Sequence, residues 1–124
     1  MPDKLEPVTV QLENIPWTPH PTIPGIEIRM FQNPEPFSPS DVLIARIEAG
    51  SKIPWHVHEQ ESEIAYILQG SATLYTAPAK PEDSPAVTES DFVEGVAGVI
   101  PPGLWHSVVN TGDATVLILA LHTP

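Results

Sequence analysis

The sequence predicts an all-β fold, either an antiparallel sandwich or a barrel. Short apolar runs follow one another along the chain, turn-forming residues separate nearly all of them, and no window with a helical period exceeds a turn or two. Many short strands with a turn signal roughly every 8–12 residues are typical of these architectures. With 124 residues, the chain is long enough for one hydrophobic core, so we expect a single domain.

Residues 1–24 differ from the rest of the chain and are predicted to form a proline-rich N-terminal arm. One short alternating strand is expected at Val8, Val10 and Leu12, and prolines lie on both sides of Trp17. Proline cannot donate a hydrogen bond to a sheet, so an extended arm is expected rather than a central strand. Such an arm suits the covering of a sheet edge or of a neighbouring subunit.

Residues 25–124 are predicted to form the domain itself. Turn signals such as Pro101-Pro102-Gly103 and Thr111-Gly112-Asp113 separate its apolar segments. The polar segment 78–86 is rich in proline and is expected to be an exposed loop between two strands. The predicted strands are 26–31, 41–48, 53–58, 64–69, 72–77, 92–93, 99–100, 106–110 and 115–122.

Charge and composition exclude several classes of function. A net charge of −11 with only five Lys and Arg argues against a nucleic-acid partner and against an anionic membrane surface. The absence of cysteine excludes disulfides, thiolate metal sites and a cysteine nucleophile. Since no signal peptide and no apolar run of membrane-spanning length is present, the cytoplasm is the expected location.

Three histidines and one glutamate have the side-chain types and the spacing of metal ligands. His56 and His58 are two residues apart and can share one face of a strand, Glu63 follows closely, and His106 lies further along the chain. Imidazole nitrogens with one carboxylate oxygen suit Fe, Mn, Ni, Cu or Zn, so a mononuclear metal centre is predicted. Glu59 and Glu61 compete with Glu63; the spacing favours Glu63, with Glu61 as a candidate for orienting a histidine.

These residues fall in two segments that resemble the two motifs of the cupin superfamily. The first segment, from Gly50 to Gly70, reads G-x5-H-x-H-x4-E-x6-G, and the second, from Gly95 to Asn110, reads G-x5-P-x-G-x2-H-x3-N. All ten fixed positions are met, with 24 residues between the segments. The one departure is Val96, where many members carry aspartate, and it affects a turn and not a ligand.

The resemblance implies an antiparallel jelly-roll barrel, or double-stranded β-helix, with one divalent transition metal per chain. Carried over residue by residue, the ligands are His56, His58, Glu63 and His106. Iron is the first choice of metal, with Mn, Ni, Zn or Cu as alternatives. Because small cupins commonly pair through sheet faces and N-terminal strands, a homodimer is also expected.

Strand alternation predicts a mostly apolar pocket around the metal, which suits a small organic substrate. Arg46 could anchor a substrate carboxylate if it points inward, although a salt bridge with an acidic residue is the favoured alternative. His20 and His122 are expected to be ordinary residues outside the site. The inward candidates are Ile28, Arg46, Ala65, Ile67, Gln69 and Val108, with Met30 or Phe31 as further options on the first long strand.

The predicted centre leaves coordination positions open, as catalytic metal sites do. The leading hypothesis is a dioxygenase-type oxidoreductase that uses Fe(II), with Glu63 as a ligand or, if it swings free, as a base. A metal-dependent isomerase, epimerase or lyase that consumes no O2 is the alternative among enzymes. A non-catalytic module that binds or senses a small molecule is the alternative outside them, because this fold alone does not define a reaction.

Overall fold

The fold consists of two antiparallel sheets that enclose one core, which confirms the predicted jelly-roll architecture. A computed structural model describes residues 9–32, 41–84 and 86–123. The larger sheet has the strand order β1-β2-β3-β10-β5-β8, and the smaller has the order β4-β9-β6-β7. The strands are β1 (Thr18–Pro19), β2 (Ile26–Gln32), β3 (Asp41–Ile47), β4 (Lys52–His56), β5 (Ser62–Gln69), β6 (Ser71–Ala77), β7 (Thr88–Val93), β8 (Ala97–Ile100), β9 (Trp105–Asn110) and β10 (Val116–Thr123), with short 3-10 turns at Leu12–Asn14 and Pro81–Asp83.

Most of the apolar runs form strands near the predicted bounds, with one difference that concerns the site. The run predicted over 53–58 ends as a strand at His56, and the register with β9 is interrupted between Ile53 and His56. Pro54, which has no N–H to donate, lies in this interruption. His58 therefore follows the strand instead of belonging to it.

The arm differs from its prediction in detail. The alternating strand expected at Val8, Val10 and Leu12 is not present in the described part: Val8 lies outside it, and Leu12 begins a 3-10 turn. The backbone of this turn is satisfied locally, since Asn14 donates to the carbonyl of Gln11 at 2.9 Å. The division of the chain at residue 24 stays a prediction.

Trp17 packs against its own domain, where the sequence suggested it would find little to contact. The guanidinium carbons of Arg29 and Arg46 lie 4.0 and 4.3 Å from its ring centroid. Directly after Trp17, β1 pairs with β2 and forms one edge of the larger sheet. The described part of the arm thus packs against one end of the sheet.

The inner face of the larger sheet is apolar except at one end. Alternation along β10 directs Val116, Ile118 and Ala120 into the core, where Ile47 and Ile67 are completely buried. The next inward position of β10 is His122, whose cross-strand neighbours are Asp41 on β3 and Glu63 on β5. Polar residues are therefore gathered at one end of the sheet, above an apolar core.

No helix within the described ranges is long and apolar enough to cross a membrane.

Candidate metal centre

The smaller sheet brings three histidines together. His56, the last residue of β4, is the cross-strand partner of His106 on β9, and their ring centroids are 4.0 Å apart. The ring of His58 lies 5.1 Å from that of His56 and 5.3 Å from that of His106. The sequence predicted that these three histidines surround one metal, and the fold does bring their rings together.

The turn before β9 connects the two histidine-bearing segments. The backbone N–H of Gly103 donates to the carbonyl of His58 at 2.9 Å. Gly103 has φ of +85°, a left-handed conformation that costs glycine little and other residues much more. Glycine in the second motif thus allows the turn that holds the His58 loop beside His106.

Backbone carbonyls orient two of the imidazoles. Nδ1 of His56 lies 2.8 Å from the carbonyl oxygen of Pro54, and Nδ1 of His106 lies 2.9 Å from that of Leu104. A carbonyl oxygen only accepts, so each Nδ1 carries the proton and donates it. In the neutral ring the lone pair is then on Nε2, which is the nitrogen that each ring can offer to a metal.

Two imidazole nitrogens of the three histidines are buried without a hydrogen-bond partner in the described part of the chain. They are Nε2 of His58 and Nε2 of His106, and a buried polar atom without a partner is costly. One ligand nitrogen from each of His56, His58 and His106 lies within 4.8 Å of the others. Unpartnered imidazole nitrogens that converge in this way fit a bound cation, so these three side chains are suited to hold a metal.

The electrostatics keep two of these histidines neutral. Burial lowers the pKa of His58, and the nearby carboxylate of Glu63 only partly opposes this effect. Burial also lowers the pKa of His106, against the opposing hydrogen bond to Leu104. Neutral imidazole is the form that binds a metal, so both rings are ready to act as ligands near neutral pH.

Glu63 faces the histidines from the larger sheet, while Glu61 is exposed. Oε1 of Glu63 is 3.6 Å from Nε2 of His58, and Oε2 of Glu63 is 4.0 Å from Nε2 of His106. Burial alone would raise the pKa of Glu63, but the hydrogen bond with His122 and the positive charge of that ring bring it below the ordinary value. Glu63 is therefore ionised, as a carboxylate ligand must be.

The expectation that His122 is an ordinary residue was wrong. Nε2 of His122 lies 2.8 Å from Oε1 of Glu63, and Nδ1 lies 2.8 Å from Oδ1 of Asp41. The hydrogen bond with Glu63 and then that with Asp41 outweigh the effect of burial and raise the pKa of His122 to about 9. Strand alternation on β10 was the signal that could have found it, because His122 shares a face with Ile118 and Ala120.

A cavity of about 470 Å³ opens onto the histidines and Glu63. Ile28, Ala65 and Val108 line it as predicted, as does Met30. His20, which was expected to lie outside the site, lines it as well and accepts hydrogen bonds at Nδ1 from the backbone N–H groups of Thr22 and Ile23. The other apolar lining residues are Ile23, Ile26, Leu43, Ala45, Ile53, Pro54, Trp55, Phe92, Ile118 and Ala120.

Three residues predicted for this pocket lie elsewhere. Arg46 is outside it, because Ala45 takes the inward position on β3; its Nε donates to Glu27 at 3.1 Å. Gln69 is exposed and donates to the carbonyl of Thr115 at 3.5 Å. Ile67 points inward but packs in the core beyond the cavity. The favoured alternative for Arg46, a surface salt bridge, is what the structure contains.

The chain belongs to the cupin family. The profile of this family, described as a cupin domain, matches residues 43–122 and thus covers both motifs and all four predicted ligands. A search among curated protein sequences found no significant match.

Several solved structures share the fold. A predicted oxalate decarboxylase from Thermotoga maritima has a TM-score of 0.72 at 21% identity, over 94% of this chain and 98% of that one. The cupin domain of Schizosaccharomyces pombe Cnp3 has a TM-score of 0.73 at 17% identity, over 94% of this chain and 73% of that one. Oxalate decarboxylase from Bacillus subtilis, which has Mn(II) centres, has a TM-score of 0.70 at 18% identity, over 90% of this chain and 28% of that one. At these identities the likeness extends to the fold alone.

Proposed function

We propose that this cupin is a metal-dependent enzyme that acts on a small organic molecule. One divalent transition metal per chain would be held by His56, His58, Glu63 and His106. Iron suits this set of donors and so does manganese, which the structurally similar Bacillus subtilis enzyme contains. When bound, the metal would supply Lewis acidity and, in the case of iron, chemistry with O2.

The observation that carries this proposal is the apolar cavity beside the nitrogens of His58 and His106 that have no partner among the described residues. Its volume of about 470 Å³ falls within the range of small-molecule sites, which is roughly 300–1,000 Å³. Neither lysine nor arginine is among the described residues that line it. An apolar molecule with one or two oxygen atoms to present to the metal fits this lining best.

Among the possible reactions we favour a dioxygenase-type oxidation. An apolar lining would exclude water from the reacting centre, and a diketone, catechol or flavonol could direct its oxygen atoms to the metal while its carbon skeleton contacts the lining. Glu63 would serve here as a ligand and not as a mobile base, because His122 already engages one of its oxygens.

The second candidate is a metal-dependent lyase that consumes no O2; an isomerase or epimerase would belong to the same O2-independent class. The likeness to oxalate decarboxylases favours the lyase within that class. Oxalate, however, is a small dianion, and apart from the proposed metal the described lining provides no lysine or arginine to neutralise it. A non-catalytic binding module would use the same cavity without turnover.

Oxygen uptake separates these candidates. Metal-free protein would be loaded anaerobically with Fe(II) or Mn(II) and mixed with diketones, catechols, flavonols or oxalate. Oxygen consumption in step with loss of an apolar substrate would support the oxidation. Product formation without oxygen uptake would overturn it in favour of the lyase or isomerase class, and binding without turnover of any substrate would indicate a binding module.

We also propose a homodimer that pairs through the outer face of the larger sheet. Ile64 and Tyr66 on β5 are 39% and 40% exposed, and Val99, beside Ile64 on β8, is 71% exposed. Leu119 and Leu121 of β10 continue this apolar face on the other side of β5. In a chain of charge −11, an uncharged patch on this face allows two copies to meet without bringing their acidic groups together.

Light scattering tests the dimer. At micromolar concentration the wild-type protein should have twice the mass of the chain, and V99K should be monomeric because it would bury a charge. T88K, which adds the same charge at an exposed position of β7, serves as the control and should remain dimeric. A monomeric wild-type protein would contradict the proposal. Action in the cytoplasm, without nucleic acid or membrane, stays a prediction.

A further inference from the structure

A row of three polar residues crosses the larger sheet at the end where the candidate metal centre lies. Asp41 begins β3, His122 is near the end of β10, and Glu63 is near the start of β5; His122 is the register partner of both acids. All three side chains are mostly buried, with exposures of 26%, 15% and 13% respectively. The sheet itself therefore aligns a carboxylate, an imidazole and a second carboxylate.

Both nitrogens of His122 are engaged. Each lies 2.8 Å from a carboxylate oxygen, of Asp41 on one side and of Glu63 on the other. Because both oxygens only accept, both nitrogens donate and the ring is an imidazolium. Such charge-assisted hydrogen bonds are stronger than neutral ones, and a pair of them on opposite sides fixes the plane of the ring.

This arrangement argues against His122 as a metal ligand. One nitrogen of His122 lies within 4.8 Å of ligand atoms of His58 and Glu63, close enough for a cation to bridge them. However, both nitrogens of His122 are already hydrogen-bonded to carboxylate oxygens, whereas Nε2 of His106 is buried and has no partner among the described residues. His122 therefore differs from the three candidate histidine ligands, and its contact with Glu63 is the feature that requires a role.

We propose that His122, held in place by Asp41, is a positioning residue that fixes Glu63 as a metal ligand. By engaging Oε1, it would prevent the carboxylate from turning away and direct Oε2, which lies 4.0 Å from Nε2 of His106, to the metal. The inference rests on the proposed metal centre and deepens it, because it assigns Glu63 a fixed role. Hydrogen-bonded partners behind metal ligands commonly act in this way.

A double-mutant cycle tests the inference through metal affinity. Mn(II) dissociation constants would be measured by competition with a chelator for the wild type, E63A, H122F and E63A/H122F. H122F should weaken Mn(II) binding about 10–100-fold, as loss of such a partner does. If His122 acts through Glu63, the double variant should bind Mn(II) no more weakly than E63A.

Further variants separate positioning from folding. H122Q keeps a donor for Glu63 and should recover part of the affinity that H122F loses. D41N keeps the ring of His122 but removes the charge behind it and should have a smaller effect than H122F, whereas D91N, at an exposed aspartate of β7, should match the wild type. The visible spectrum of the Co(II) form should change in H122F and be restored in H122Q, which a purely structural role would not produce.

The outcomes are distinct. Wild-type affinity in H122F would overturn the positioning role and leave the metal centre intact. A further loss of affinity on adding H122F to E63A would also overturn it, since His122 would then act independently of Glu63. Failure of the wild-type protein to bind Mn(II), Fe(II) or Co(II) would overturn the proposed function and this inference together.

Discussion

The two sheets contribute histidines of opposite character to one cavity. His58 and His106, from the side of the smaller sheet, have lowered pKa values and buried Nε2 atoms without partners in the described part of the chain. His122, from the larger sheet, has a pKa raised to about 9 and two carboxylates within 2.8 Å. The same side chain is thus a candidate ligand on one side and a charged hydrogen-bond donor on the other.

The difference shows that partners and not burial alone determine the role of a histidine. His122 and His106 are both mostly buried, with side-chain exposures of 15% and 1%. Burial favours the neutral form of each, but only His122 has two carboxylates at hydrogen-bond distance to reverse this preference. His106 instead donates from Nδ1 to the carbonyl of Leu104, which leaves its other nitrogen free for a metal.

The largest expected effect comes from removing the ligand histidines. The double variant H58A/H106A should lose bound metal entirely, because two of the four predicted ligands disappear. The hydrogen-bonded pair of His122 and Glu63 on the larger sheet remains in this variant. Elemental analysis of protein loaded with Mn(II) and then desalted measures this. The matched control is E59Q/E61Q, which removes two exposed carboxylates of the same loop and should keep its metal. Full metal content in H58A/H106A would contradict the proposed centre.

The pH dependence of stability is the next largest effect, and it concerns His122. Since the folded pKa of about 9 lies above the ordinary value of 6.5, the folded state binds this proton more tightly than the unfolded state does. The resulting stabilisation is complete below pH 6.5 and is lost as the pH rises towards 9, by ~3 kcal/mol. Urea unfolding of the metal-free protein across this range measures the loss.

The control for the pH experiment is H122F, which removes the titrating ring. Its free energy of unfolding should change much less between pH 6.5 and 9 than that of the wild type. Parallel pH profiles for the two proteins would show that the imidazolium of His122 does not carry this stabilisation, and the contrast between the two sheets would then be wrong.

The sequence was sufficient to predict the fold and the gathering of His56, His58, Glu63 and His106, because both follow from the two motifs and the spacing within them. His56, His58 and Glu63 lie within eight positions of one another, and glycine and proline frame both their segment and that of His106. His122 is 59 residues from Glu63 in the chain, and the two meet only because β10 pairs with β5. Sequence spacing cannot reveal a contact that depends on strand order.

Arg46 shows a second limit, the direction in which a strand side chain points. A shift of one residue in strand register exchanges the inner and outer faces, so the inward set follows only when one inward position is known. On β3 that position is Ala45, which is 4% exposed, and Arg46 therefore faces outward towards Glu27 and Trp17. The sequence contained both possibilities, and sheet packing decided between them.

The smallest expected effect concerns the connection that supports His106. The Oγ of Ser107, which is 2% exposed, donates to the carbonyl of Ile53 at 2.7 Å and ties β9 to β4 beside the interrupted register. S107A should lower the free energy of unfolding by about 1–2 kcal/mol, because it leaves this carbonyl without its side-chain donor. Urea unfolding measures this loss, with S90A at an exposed position of β7 as the control.

Mn(II) affinity in S107A should fall far less than in H122F. The hydrogen bond between His106 and the carbonyl of Leu104 lies within β9 and its preceding turn, so it survives when Ser107 is changed. The neutral histidines would then depend on their own backbone for orientation, whereas Glu63 depends on the side chain of His122 from another strand. A loss of metal affinity in S107A as large as that in H122F would remove this distinction, because both sides of the centre would then depend equally on contacts between strands.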